Sequence, residues 1–229
     1  MTADAAPSPA GLLLGTFDKL GVLIAAIGTS GAVSSFAAFR ANRIVLGEGR
    51  SIVASLPALE GLALTLIVAA AILLALLRTP PWLRLAASLV ALLAILVCIG
   101  RAASFLTPAG DGLARVSPGS GFWLMLFAFA LLAADALTRL RLSPALRLGA
   151  LVAVSAAVGL ILYAGTWNEL SILKEYANRA DAFWREGEQH ILLAFGSLLA
   201  ASVVGIPLGI VCHRHRTLRT VVLNVLNMI

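Results

Sequence analysis

The sequence predicts an all-α membrane protein with about six transmembrane helices, one outer amphipathic helix and the start of a further helix. Three observations predict it. Of the 229 residues, 60% are hydrophobic and only 12% are charged, whereas a soluble domain carries roughly a quarter charged residues to wet its surface. Mean hydropathy is high, at +0.98. The apolar residues also fall in blocks near the roughly 20 residues that a helix needs to cross a bilayer.

Six spans follow in order. The first runs from Leu20 to Phe39, between Asp18-Lys19 and Arg40. The second covers Leu59 to Leu77 and stops at Arg78-Thr79-Pro80-Pro81. The third is Leu83 to Gly100, with Arg84 near its start. The fourth, Phe122 to Leu137, follows the turn-forming stretch Ser117 to Gly121. The fifth is Leu146 to Thr166, where Ser143 reads as an N-cap and Pro144 as the first helical residue. The sixth is Ile191 to Cys212, ending in His213-Arg214-His215-Arg216. From Thr220 to Ile229 the chain is apolar again but too short to cross. Trp82, Trp123 and Trp167 lie at span ends, as interfacial anchors do.

Between the last two spans, Leu173, Tyr176, Ala177, Ala180, Phe183 and Trp184 recur at helical spacing. Glu175 with Arg179, and Asp181 with Arg185, stand four residues apart with the acid first, the favourable order for ion pairs along a helix. The pattern predicts an amphipathic helix lying on the outer membrane surface. Two readings stay open for it: a docking platform, or a connector that buries one face among headgroups.

Basic residues set the orientation. With the N-terminus inside, inner segments hold nine Lys and Arg and outer loops hold eight. The inner connectors are much shorter, and basic density in short loops is what orients a chain. The expectation is a cytoplasmic N-terminus, and the first residues lack the basic flank of a removable signal peptide.

Chemistry is sparse. Asp135, one turn from Arg139, reads as a paired helix terminus, and Glu60 as interfacial. Neither an acid chain for a proton relay nor an arginine ladder is present in the pattern. His190 is separated from His213 and His215 by a span, so a metal site is not expected, and Cys98 and Cys212 read as packing residues. No cofactor, catalytic site or nucleic-acid partner is predicted. In the sixth span Ser197, Gly205, Pro207 and Gly209 place small residues and a proline together, suited to close helix packing and a kink.

The stretch from His190 to Ile229 resembles the first core helix of ABC importer permeases for osmoprotectants. The resemblance rests on Ser197-Leu198-Leu199, Gly205 through Ile210, Arg214 through Arg219 and Asn227-Met228-Ile229. Three further stretches are similar to the extra N-terminal membrane region of the Yeh-type, low-affinity betaine permeases: Asn42 to Val45 with Gly47 to Arg50, Gly119 to Leu124, and Leu173 to Arg179.

The resemblance implies a bacterial inner-membrane permease for glycine betaine, choline or a related quaternary ammonium compound. Its implied partners are cytoplasmic ATP-binding cassette subunits, a periplasmic binding protein and a second permease subunit. It divides the chain into a cytoplasmic tail (1–19), an accessory five-helix region (20–166), a periplasmic amphipathic connector (167–189) and the first part of the permease core (190–229). Lys174, Glu175, Tyr176, Arg179 and Trp184 become the expected binding-protein contact surface. Because the family continues into further core helices and an ATPase-gripping loop, the chain ending at Ile229 is expected to be a fragment. A non-transporting scaffold or accessory subunit is the other reading.

Overall fold

The computed structural model describes residues 17–108 and 111–214 together with Val222. Among them are seven helices and three short strands. In chain order these are α1 (Lys19–Val33), β1 (Ala37–Arg40), β2 (Glu48–Arg50), α2 (Ile52–Ser55), α3 (Ala58–Leu76), α4 (Pro81–Leu106), β3 (Arg115–Pro118), α5 (Ser120–Arg139), α6 (Pro144–Tyr163) and α7 (Ser171–Arg214). Helices α3 to α7 are each long and apolar enough to cross a membrane, and the protein is an all-α membrane protein. The chain divides into two units, 1–175 and 176–229.

In the first unit α1, α3, α4 and α5 form a ring in which each helix packs on its antiparallel neighbours, α1 against α3 and α5, and α4 against α3 and α5. The buried stripes show the helical period that packing requires. On α4 it reads Arg84, Ser88, Ala91, Ile95, Ile99 and Ala102; on α3 it reads Gly61, Leu64, Val68, Ala71 and Ala75. Ile24, Met125, Phe129 and Leu132 complete the centre.

Glycine permits a close crossing in this ring. A Cβ on Gly31 would stand 2.7 Å from the Met125 side chain and 3.0 Å from the Gly121 carbonyl, so α1 and α5 meet backbone to backbone. Helix α6 contributes only Ile161 to the buried set.

Local chemistry sets the helix starts. The Asp18 carboxylate accepts from the Gly21 N–H at 2.8 Å and caps α1. Ser143 caps α6, with Pro144 at its first position, as the sequence predicts.

Two expected elements differ. The first span stops at Val33, six residues short of Phe39, because the chain turns there into strand β1. At fifteen residues α1 is about 22 Å long at 1.5 Å per residue. The Phe36 N–H donates to the Arg50 carbonyl, and the Gly119 N–H donates back to the Phe36 carbonyl. The result is an antiparallel sheet of order β2-β1-β3, which the apolar run Phe36-Ala37-Ala38-Phe39 had hidden inside a longer apolar block. The third span also runs further than Gly100, to Leu106, because its Arg101 is paired rather than loop-borne.

In the second unit the described residues, apart from Val222, are one helix, the part of α7 from Tyr176 onward. None of α7 is buried. Its only residue with non-helical backbone angles is Arg179 (φ −132°, ψ 18°), and the helix continues through Pro207.

Candidate functional site

Polar chemistry in the first unit gathers at its two ends. At one end, four side chains close into a quartet. Arg84, fully buried, approaches Asp135 at 3.1 Å and Asp18 at 3.7 Å. Arg139 bridges the same two acids, each at 2.8 Å. Two cations and two anions thus compensate one another, as buried charges must.

The sequence places Arg84 inside because helix α3 ends beside it. The last carbonyls of a helix lack intrahelical partners, and here each finds one. Leu73 accepts from the Leu77 N–H, Leu74 from the Thr79 hydroxyl, Ala75 from Arg84 Nη1 and Leu76 from the Asp18 N–H. Arg84 Nη1 also reaches the Leu77 carbonyl at 3.3 Å. The quartet thus closes off the end of α3 and holds α1, α4 and α5 to it. With both carboxylates engaged by guanidinium groups, it presents no free acid for proton transfer.

Sequence reasoning finds the Asp135–Arg139 pair and misses the rest. The missing signal is phase: Arg84 lies four, seven and eleven residues before Ser88, Ala91 and Ile95, on the stripe that faces the core.

At the opposite end lies the sheet, where, apart from those of buried Arg115, most polar contacts are exposed. The β1–β2 hairpin turns at Asn42, whose side-chain oxygen accepts from the Ile44 and Val45 N–H groups at 2.9 and 3.0 Å. Asp111 makes the same kind of turn, accepting from Leu113 and Ala114, and these two N–H groups hold its carboxyl below the ordinary aspartate value. The turn brings the Arg115 guanidinium onto the Gly112 carbonyl (2.7 Å) and the Ala114 carbonyl (3.0 Å).

Arg115 then donates through Nε to Glu175 at 3.0 Å, and Arg43 grips the same carboxylate through two bonds of 3.0 and 2.8 Å. The Arg115 bond, followed by Arg43, holds the Glu175 carboxyl below the usual glutamate value against an opposing push from burial. The Ser171 hydroxyl ties the start of α7 to the Val116 carbonyl at 2.8 Å. An open cleft of about 600 Å³ lies alongside, lined by Ser104, Thr107, Pro108, Asp111, Gly112, Glu169 and Lys174.

The structure distributes the expected contact residues. Lys174 pairs with Glu169 at 2.7 Å on the cleft wall, and Glu175 forms the double arginine contact. In the second unit, Tyr176 accepts a bond from Trp184 Nε1 at 3.0 Å, and Phe183 packs edge-on to both rings. Arg179 is exposed at the interruption in α7.

The expected helix pairs are corrected. Among the described residues neither Glu175–Arg179 nor Asp181–Arg185 forms; in the first, Glu175 is turned to the sheet and Arg179 leaves helical geometry. Glu60 is not merely interfacial, because Arg101 holds it through bonds of 3.1 and 2.6 Å. Ser197 donates to the Ala194 carbonyl, while Gly205 and Gly209 face open space. The resemblance at Arg214 through Arg219 and Asn227 to Ile229 lies outside the described residues after Arg214, as does most of the expected tail 1–19.

These features define a multi-pass membrane protein whose first unit is a closed helical ring with a loop-built cap at one end. The family described as "ABC transporter permease YehY, N-terminal domain" matches residues 18–173. The chain belongs to that family, and so to the permease components of ABC transporters, with the ATPase and other subunits such transporters use in general. No curated protein and no solved structure matches it.

Proposed function

We propose that this chain is part of the membrane path of a binding-protein-dependent importer for glycine betaine or related quaternary-ammonium osmoprotectants. Separate ATP-binding cassette subunits supply the energy. The observation that carries the reading is the family match over residues 18–173, joined to the resemblance of the following helix to an osmoprotectant permease core.

In this reading the first unit holds the accessory region (20–166) and the start of the connector (167–189). The sheet end faces the periplasm and the quartet end the cytoplasm. Connector length supports that orientation: Leu77–Pro80 and Leu140–Ser143 are short and basic, while the sheet-end connectors are long, and short basic loops stay inside. A periplasmic binding protein docks at the sheet end on Lys174 and Glu175, and separately contacts Tyr176, Arg179 and Trp184 of the second unit. Ser197, Gly205, Pro207 and Gly209 pack against further core helices or a second permease subunit. Their open surroundings leave room for close helix approach.

One observation favours the other reading, a non-transporting scaffold or accessory subunit. The centre of the ring is filled by Leu64, Val68, Ile95, Phe129 and Leu132, so this region holds its helices together rather than lining a path.

Two measurements test the proposal. In cells stripped of other betaine uptake systems, deleting the gene should abolish uptake of radiolabelled glycine betaine, and restoring it should recover uptake. Unchanged uptake removes the substrate assignment, and failure of the chain to copurify with any ATP-binding cassette subunit removes the permease assignment. For orientation, a cysteine at Gly112 should label from outside intact cells and one at Leu142 only after permeabilisation; the reverse pattern inverts the topology.

A further inference from the structure

The two ends of the first unit carry equal numbers of cations and treat them differently. At the sheet end, Arg40, Arg43, Arg50, Arg101, Arg115 and Lys174 stand among five carboxylates. All but Arg40 are in ion pairs, with Glu48, Glu60, Glu169 and Glu175 as partners. At the quartet end, among the described residues, six cations meet two carboxylates. Asp18 and Asp135 are both taken up by Arg84 and Arg139 inside the quartet.

That leaves Lys19, Arg78, Arg141 and Arg147. All four are exposed, and none has a carboxylate partner among the described residues. Arg78 is positioned by a bond from its Nε to the Phe17 carbonyl, which sets it beside Lys19 at the start of α1. Arg141 stands in the tight α5–α6 turn with a positive φ of 47°, and Arg147 follows one turn into α6. The Arg139–Asp18 contact brings that turn to the same end as Lys19.

These four exposed cations stand at or near the ends of α1, α3, α5 and α6, of which the last three are long and apolar enough to cross a membrane. Basic clusters beside spans attract anionic lipid, with about 1 kcal/mol for each Lys or Arg, or about fivefold in affinity. We propose that the quartet end is a binding surface for anionic phospholipid headgroups, made by Lys19, Arg78, Arg141 and Arg147. The quartet enables it by neutralising internally the two acids that the described residues place at that end, so that neither competes with phosphate for the exposed cations. The inference rests on the membrane-embedded helical ring and not on the transport reading.

The test uses the full chain, reconstituted in vesicles of equal phosphatidylglycerol and phosphatidylcholine, then purified, with the retained lipids weighed by mass spectrometry. Phosphatidylglycerol should be enriched. The triple variant Lys19→Gln, Arg141→Gln, Arg147→Gln should lower that enrichment at least about fivefold, with helix content by circular dichroism unchanged. Arg50→Gln with Arg101→Gln, at the other end, should leave it as it was. Equal enrichment in wild type and triple variant overturns the proposal, and so does an equal loss in the sheet-end variant. Should the triple variant fail to fold, salt decides on the wild type: headgroup attraction between exposed charges is screened, so enrichment that persists at high salt overturns it as well.

Discussion

Within the quartet, the side chains of Arg84, Asp18 and Asp135 are little exposed, and Arg84 is also bound to main-chain carbonyls. At the sheet end, ion pairs that stay open to water link segments far apart in sequence: Arg43 to Glu175 and Glu60 to Arg101. Burial decides what each arrangement can do. A buried ion pair is not a large net gain in stability, but losing one member leaves an uncompensated charge in a medium that cannot solvate it. An exposed pair contributes little, about 0–1 kcal/mol, because water and salt screen it. The quartet therefore fixes the helices, while the sheet end can exchange its partners at small cost.

The largest expected effect follows directly. Replacing Asp135 by Ala removes one of two acids facing fully buried Arg84 and should cost about 3–5 kcal/mol. Thermal unfolding in detergent checks it. The double variant Arg84→Met, Asp135→Leu, which removes the charges together, should recover most of the loss. A cost below about 1 kcal/mol for Asp135→Ala would place the quartet with the exposed pairs and break the comparison.

A smaller effect separates the closed ring from the open helix that follows it. Gly31→Ala puts a methyl group 2.7 Å from Met125 Cγ and 2.9 Å from the Met125 nitrogen. Overpacking of this kind costs roughly 1–3 kcal/mol. Gly205→Ala, on α7, meets nothing within 4 Å and should cause no steric loss. Urea or thermal unfolding of the two variants, side by side, measures the contrast. Equal destabilisation would mean that Gly205 is as closely packed in the membrane as Gly31 is in the ring.

Much of the fold was legible because hydropathy blocks and end signals are local. Ser143-Pro144 marks the start of α6, Pro80-Pro81 the turn into α4, and the apolar stretches of α3 and α5 lie within a few residues of their expected bounds. Strand β1 was hidden for a non-local reason: its partners are Glu48–Arg50 and Arg115–Pro118, the second nearly eighty residues away, and nothing in its own residues distinguishes it from the end of a helix. The Arg84 quartet was hidden similarly, because its members come from the starts or ends of three separate helices. Periodicity shows that Arg84 faces inward, but only the fold shows that Asp18 and Asp135 meet it. Glu175 reverses the case. Its spacing to Arg179 suggested a helix pair, and the stronger claim came from Arg43 and Arg115 across the sheet.

The smallest effect tests that last contact. The Glu175 carboxyl is held below its ordinary value in the folded protein, first by Arg115 and then by Arg43. A carboxyl lowered on folding stabilises the fold fully above its unfolded value, near 4.3 for glutamate, and that contribution is lost as pH falls through the lower folded value. The attachment of α7's first turn to β3 should therefore loosen on acidification below about pH 4. Hydrogen exchange at Val116 and Ser117, corrected for the intrinsic rate at each pH, reports it. In Glu175→Gln the same amides should exchange faster at neutral pH, and their protection should no longer change through the acid range. Protection that still falls with pH in this variant would assign the acid response to another carboxyl, with Asp111 in the adjoining turn the first to examine, since it too is held below its usual value.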